Sequence, residues 1–235
     1  MKISGSVALV TGANRGLGRA FARALVERGA HTVYAGARDP NTITDPGVVP
    51  IKLDITDPDE VADVARRLGD VTLLVNNAGV SHAASLLLAE TQDPARAEME
   101  TNYFGTLSLC RAFAPVLARN GGGALVNMLS VLSFMALPQV GSYSASKAAA
   151  WSLTNAIRLE LAAQGTLVVG VHAGFIDTDM AARVELPKIR PEDVAAQTFD
   201  AVEAERMEVL VDTYSTDAKS ALSADLDVLY PALRR

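Results

Sequence analysis

Val7-Ala8-Leu9-Val10-Thr11-Gly12-Ala13-Asn14-Arg15-Gly16-Leu17-Gly18 reads as a strand, a glycine turn and the opening of a helix. The apolar run is short and is cut by Thr11-Gly12, the pattern of a strand buried on both faces rather than of a helix. Glycine lacks Cβ, so positions 12, 16 and 18 allow a sharp bend before the helix over 16–28. The same alternation continues outward. Strands are expected near 6–11, 31–36, 48–53, 71–76, 123–129, 166–172 and 207–212, and helices over 16–28, 57–68, 94–119, 142–163 and 191–204. Runs such as Val71-Thr72-Leu73-Leu74-Val75 and Leu167-Val168-Val169-Gly170-Val171 show no polar alternation, as strands covered by crossover helices on both faces require. The fold class is therefore α/β: a doubly wound parallel sheet of about seven strands with helices on both faces. Asp57 before Pro58 is a helix N-cap, Pro191 opens the last helix, and Gly121-Gly122-Gly123 is a helix-to-strand turn.

Composition agrees. A chain of 235 residues, 49% hydrophobic with one tryptophan, can bury one large core, and residues 1–235 are read as a single domain. A net charge of −6 without any basic run argues against a nucleic-acid surface. The single Cys110 cannot form an internal disulfide and reads as a small buried hydrophobe, which suits a reducing, cytoplasmic setting. The apolar run Val7–Val10 is too short for a signal peptide or a membrane span. Histidines 31, 82 and 172 have no ligand spacing, so no metal site is expected.

Chemistry enters with Tyr143-Ser144-Ala145-Ser146-Lys147. On a helix, Tyr143 and Lys147 lie one turn apart on one face. A phenol has a pKa of about 10, and a neighbouring cation can lower it by roughly 1 to 3 units, which would make Tyr143 a proton donor and acceptor. Ser130, thirteen residues upstream at the end of the fifth strand, carries a hydroxyl suited to a substrate oxygen. At the glycine turn, a backbone free of Cβ can approach a pyrophosphate, which the helix N-terminus favours. A purely structural glycine turn would look the same in isolation.

Taken together, Gly-x-x-x-Gly-x-Gly at 12–18, Asn76-Asn77-Ala78-Gly79, Asn102, Ser130 and Tyr143 with Lys147 resemble the short-chain dehydrogenase/reductase family, classical type, along the whole chain. The resemblance implies a Rossmann-like, NAD(P)-binding fold and a hydride-transfer reaction with Asn102, Ser130, Tyr143 and Lys147 as the catalytic set. Ser133 is the rival to Ser130, and the offset to Tyr143 favours Ser130. By the same resemblance Lys147 lowers the tyrosine pKa and binds the nicotinamide ribose, and Asn102 holds a water of a proton-relay path. Cofactor contacts are expected from Gly12, Asn14, Arg15, Gly16, Leu17 and Gly18 in the turn, from Asp54 and Ile55 at the adenine, from Asn76, Ala78 and Gly79 along the fourth strand, and from Tyr143 and Lys147. Asn76 is also expected to steady the central sheet. After the sixth strand the family's Pro-Gly is replaced by Ala173-Gly174, and Gly174, Ile176 and Thr178 match the segment that cradles the carboxamide. His172 reads as structural.

The second strand chooses between cofactors. Gly36 stands where NAD-preferring members carry an aspartate, and Arg38 follows two residues on. Together with Arg15 this implies two guanidiniums on a 2′-phosphate, hence NADP (as NADPH) over NAD. Asp39, the competing ribose-binding acid, is read as a turn residue before Pro40. The expected function is NADPH-dependent reduction of a ketone, aldehyde or quinone, or the reverse alcohol oxidation. The alternatives are a 3-oxoacyl-carrier-protein reductase and a non-catalytic NADP-sensing regulator, which should have lost one of Ser130, Tyr143 or Lys147. Only a short substrate loop, 177–190, is present, so the site should be open unless the segment from Asp212 onward or a neighbouring subunit covers it. The helices at 94–119 and 142–163, with Ala148-Ala149-Ala150-Trp151, match those the family pairs into homodimers or homotetramers.

Overall fold

The computed structural model describes residues 1–233. Its strands are β1 (Val7–Thr11), β2 (Thr32–Ala37), β3 (Val49–Lys52), β4 (Leu73–Asn76), β5 (Ala124–Met128), β6 (Leu167–His172) and β7 (Glu208–Leu210). They form one sheet in the order β3-β2-β1-β4-β5-β6-β7, and every neighbouring pair is parallel. The helices are α1 (Gly16–Glu27), α2 (Pro58–Arg67), α3 (Asp93–Met99), α4 (Thr106–Arg119), α5 (Gly141–Glu160), α6 (Pro191–Glu203), α7 (Thr213–Ser220) and α8 (Leu226–Leu229).

The missing polar alternation in the strands now has its cause. In β1, Ala8 and Val10 face a core shared with Phe21 of α1 and Phe199 of α6, while Val7 and Leu9 face a second core built with Val64, Phe113 and Ile157. Both faces of the central strands are dry, so their residues are mostly apolar. Phe21 and Phe199 meet edge to face at 5.6 Å. Strand order reverses between β1 and β4, which opens a crevice beyond their carboxyl ends, the usual ligand site of such sheets.

The turns follow their residues. Asp57 caps α2 by accepting the N–H groups of Asp59 and Glu60, with Pro58 in the first turn. Gly121, Gly122 and Gly123 all have positive φ between α4 and β5. Two features depart from the sequence reading. The helix expected over 94–119 is interrupted by a π-helical stretch, Glu100–Gly105, between α3 and α4. Helices α7 and α8 were not expected at all, because their short, mixed sequence carries little apolar periodicity.

Candidate active site

The glycine turn lies at the crevice. Gly12 and Gly16 have φ of +64° and +52°, a region that only glycine enters freely. A Cβ on Gly18 would fall 2.1 Å from the Gly12 carbonyl oxygen, so turn and helix can pack this closely only without a side chain. Arg15, at the N-cap of α1, makes no side-chain cap, and the first turn holds no acid. The leading N–H groups of α1 are thus left for an anion, and a bare backbone lies in front of them. This cradle fits the pyrophosphate of a dinucleotide. Leu17 turns its side chain into the core at 7% exposure, leaving its backbone to the turn, and Asn14 is half-buried beside it.

Thr11 and Asn77 lock this crevice, a role the sequence reading gave to neither. Thr11 Oγ1 accepts the N–H groups of Asn77 and Ala78, each at 3.0 Å, and Asn77 Nδ2 donates to the Thr11 carbonyl at 2.9 Å. The ends of β1 and β4 are thereby tied together where the strand order reverses. Ala78 packs on Gly12, whose added Cβ would meet Ala78 Cα at 3.0 Å. A threonine ending one strand and an asparagine pair ending another were the available signals.

At the adenosine end, Arg38 is exposed just after β2. Asp54 Oδ1 accepts from Thr56 N at 3.0 Å and Thr56 Oγ1 at 2.7 Å. Burial pushes the Asp54 carboxyl up, but these bonds and the charges of Arg38 and Lys52 outweigh it and hold the pKa below the ordinary value. Ile55 is buried, and a Cβ on Gly105 would meet its Cδ1 at 2.8 Å, so its side chain fills the notch in the π-helical stretch. Asp39 Oδ1 accepts from Asn41 N at 3.0 Å and caps the turn Pro40–Thr42, the turn role read from sequence. Arg15 was expected to converge with Arg38. Here its Nη1 pairs with Asp179 Oδ2 at 2.9 Å, with both side chains largely exposed. Such a pair is worth at most about 1 kcal/mol, so Arg15 can exchange it for a phosphate.

At the other end, Ser130 leaves β5 in extended conformation, and its Oγ accepts the Leu132 N–H at 3.1 Å. Ser133 Oγ accepts the Ser130 N–H at 3.2 Å, so the rival serine supports Ser130 from behind. Tyr143 and Lys147 share a face of α5, with Lys147 Nζ 5.7 Å from the centroid of the tyrosine ring. Nζ donates to the Met128 carbonyl at 2.9 Å. The expectation that this lysine depresses the tyrosine is corrected here. Burial pushes the Tyr143 phenol up to about 12, Ser130 as hydrogen-bond partner opposes this, and the charge of Glu98 adds to it. Burial also pushes Lys147 down to about 8. Desolvation sets the direction of both shifts.

Asn102, in the π-helical stretch, grips a strand-like segment. Its Oδ1 accepts the Val80 N–H and its Nδ2 donates to the Val80 carbonyl and to Ser146 Oγ, all at 2.9 Å. Ser146 Oγ in turn donates to the Tyr143 carbonyl at 2.8 Å. A Cβ on Gly79 would lie 3.0 Å from Asn102 Oδ1 and 3.7 Å from Lys147 Nζ, so the chain passes closely between them. Asn76 points into the core, where its Nδ2 donates to Asn127 Oδ1 at 2.8 Å, and Asn127 Nδ2 donates to Thr154 Oγ1 at 2.9 Å. This buried ladder joins β4, β5 and α5 beneath the site. Cys110 lies against it, its thiol pushed by burial up to about 12, an inert thiol as expected.

The segment after β6 closes the crevice. Gly174 N donates to Asp212 Oδ2 at 2.6 Å, and Asp212 Oδ1 accepts the Ser215 N–H at the start of α7. Ile176 bridges Ile189, folding the loop 177–190 back on itself. A Cβ on Gly16 would meet Thr178 Cγ2 at 3.2 Å, so the segment after β6 reaches the glycine turn. Tyr230 Oη accepts the Ala136 N–H at 3.1 Å, which brings the C-terminal segment onto the loop between Ser130 and Tyr143. Among the described residues no group of three or more His, Cys, Asp or Glu could hold a metal ion, and no helix is long and apolar enough to cross a membrane.

The family model for short chain dehydrogenase matches residues 6–188. The crystal structure of a short chain dehydrogenase from Burkholderia cenocepacia J2315 in complex with NADP superposes with a TM-score of 0.95 over 100% of both chains, at 45% sequence identity. Short chain dehydrogenase mpl6 of Monascus purpureus is 35% identical over 222 residues, 86% of this chain and 73% of its own. A 3-oxoacyl-(acyl-carrier-protein) reductase of Vibrio cholerae is 33% identical over 189 residues, 77% of each chain. With its seven-stranded Rossmann-like sheet and its glycine-lined crevice, the chain belongs to the short-chain dehydrogenase/reductase family of nicotinamide-dinucleotide oxidoreductases.

Proposed function

We propose that the protein is an NADPH-dependent reductase of ketone, aldehyde or quinone carbonyls that also runs the reverse alcohol oxidation. The observation that carries this reading is the convergence of Ser130, Tyr143 and Lys147 beside the glycine-lined crevice. Gly12 to Gly18 would hold the pyrophosphate, Asp54 and the Ile55 backbone the adenine, Lys147 the nicotinamide ribose, and Gly174, Ile176 and Thr178 the carboxamide. A bound reduced nicotinamide supplies the hydride. Tyr143 Oη is a protonated phenol at neutral pH and gives its proton to the carbonyl oxygen. Ser130 Oγ donates to that same oxygen and steadies its growing negative charge. Lys147, held to the end of β5 by the Met128 carbonyl, keeps its ammonium beside the tyrosine ring. Asn102 and Ser146 fix the backbone of Tyr143 so that the phenol stays aimed at the substrate.

Replacing Tyr143 with Phe should lower kcat by about 10²–10⁴, the usual contribution of a positioned acid–base group, while cofactor binding by fluorescence titration stays intact. Turnover near wild type would remove this mechanism. The preference for NADPH is supported by Arg38 beyond β2, by Arg15, and by the NADP complex of the relative that is 45% identical. Arg38→Ala and Arg15→Ala should each raise KM for NADPH much more than KM for NADH, because only the former carries a 2′-phosphate. Equal changes would place both guanidiniums elsewhere.

A second reading, reduction of a 3-oxoacyl group on a carrier protein, is favoured by the Vibrio cholerae relative. Carrier proteins are acidic and need a basic docking patch, for which Arg111 and Arg119 are exposed on α4. Activity on a carrier-linked substrate far above that on the free ketone would select it. The exposed stripe of Ala145, Ala148, Ser152, Ala156 and Leu159 on α5 supports pairing of this helix with its copy in a homodimer or homotetramer.

A further inference from the structure

His172 ends β6 directly behind Ser130 and has no part in the chemistry above. It is 1% exposed. Its Nδ1 lies 3.2 Å from the Ser130 carbonyl oxygen. Its ring stacks on Phe134, centroids 4.1 Å apart at 19°, and meets the edge of Trp151 at 6.3 Å. A carbonyl oxygen can only accept, so Nδ1 carries the hydrogen and Nε2 presents its lone pair. Nε2 faces Glu208 Oε1 of β7 at 3.8 Å, and Glu208 is bound in turn by Lys219 of α7. The Lys219 ammonium also lies 5.8 Å over the Phe134 ring. Burial pushes the imidazole down to about 4, which keeps the ring neutral and in this one tautomer at neutral pH.

The contacts all act on one turn, Ser130 to Phe134. The Ser130 carbonyl accepts from His172 on one side and from the Ser133 N–H at 2.9 Å on the other, so both of its lone pairs are used. The stack on Phe134 fixes the far end of the same turn. We propose that His172 is the positioning residue of Ser130, holding the serine backbone through its Nδ1–H so that Ser130 Oγ stays aimed at the reacting oxygen. This inference rests on the reading that Ser130 stabilises that oxygen. Small misplacement of a catalytic group costs up to about 10²-fold in rate.

The test is a double-mutant cycle on the full chain with NADPH and the first ketone, aldehyde or quinone of a panel that the wild type reduces. His172→Leu should lower kcat about tenfold with KM for NADPH unchanged. His172→Asn, whose Nδ2 takes the place of the imidazole Nδ1, should recover most of the loss. In a Ser130→Ala background His172→Leu should have no further effect, since two residues acting as a unit are non-additive. His172→Met serves the same arm if the leucine variant does not fold by circular dichroism. An equal loss in both backgrounds, or a loss the asparagine variant does not restore, would reduce His172 to core packing while leaving the site reading intact. Wild-type kcat in Ser130→Ala would overturn the reading of Ser130 itself, and this inference with it.

Discussion

At the scale of single residues, burial sets the chemistry. The sequence placed Tyr143 and Lys147 one turn apart, and that spacing holds in α5. What it did not convey is how dry the pair would be, because burial depends on α3, β5 and the segment around Val80, all far away in the chain. Burial raises Tyr143 to about 12, so the phenol is fully protonated at neutral pH and carbonyl reduction should be nearly independent of pH there. Alcohol oxidation needs the phenolate and should rise with pH below that pKa. Glu98, fully buried and holding the His82 N–H at 2.7 Å, adds a negative charge that disfavours phenolate. Removing this charge lowers the tyrosine pKa, so Glu98→Gln should move the alkaline limb of the oxidation profile to lower pH. A pH–rate profile of kcat/KM checks this, and an unmoved limb would show that Glu98 does not couple to Tyr143.

Among the elements, the glycine turn was the most legible piece and the π-helical stretch the least. Glycine has no substitute where a positive φ or a close approach is required, so Gly12, Gly16 and Gly18 announced themselves. Gly18→Ala should be the harshest of the three, because its methyl would sit 2.1 Å from the Gly12 carbonyl oxygen and either β1 or α1 must move. Loss of dinucleotide binding in a titration, with a lowered Tm, is the expected outcome, and unchanged binding would show that the turn has slack. The π-helical stretch left no such trace. Its residues Glu100–Gly105 are ordinary helix formers with one glycine, and the extra residue per turn is imposed by partners elsewhere: Val80 and Ser146 for Asn102, Ile55 for Gly105. The locking role of Thr11 and Asn77 was hidden for a related reason, since a side chain that bonds only to backbone leaves no partner to read from the sequence.

For the whole molecule, the seven-stranded parallel sheet was readable because a layer dry on both faces writes itself as unbroken apolar runs. The stretch beyond β7 was not readable, because α7 and α8 bind through a few capping and tyrosine contacts rather than a broad apolar face. Those contacts reach the site from outside, through Asp212 to Gly174 and Tyr230 to Ala136. The three-residue β7 has a further consequence, which concerns the order in which the chain leaves the ribosome. It alone covers the outer edge of β6, pairing Gly170 to His172 with Glu208 to Leu210. The chain is made from its N-terminus, and a domain folds as a unit once its parts are present. Until residue 210 emerges, Leu167-Val168-Val169-Gly170-Val171 is an uncharged, β-branched edge open to any other strand, the type of surface that nucleates aggregation. A short closing strand therefore acts as the nascent chain's safeguard, and a chain cut before Glu208 should collect in inclusion bodies even though the entire glycine turn and α5 are already made.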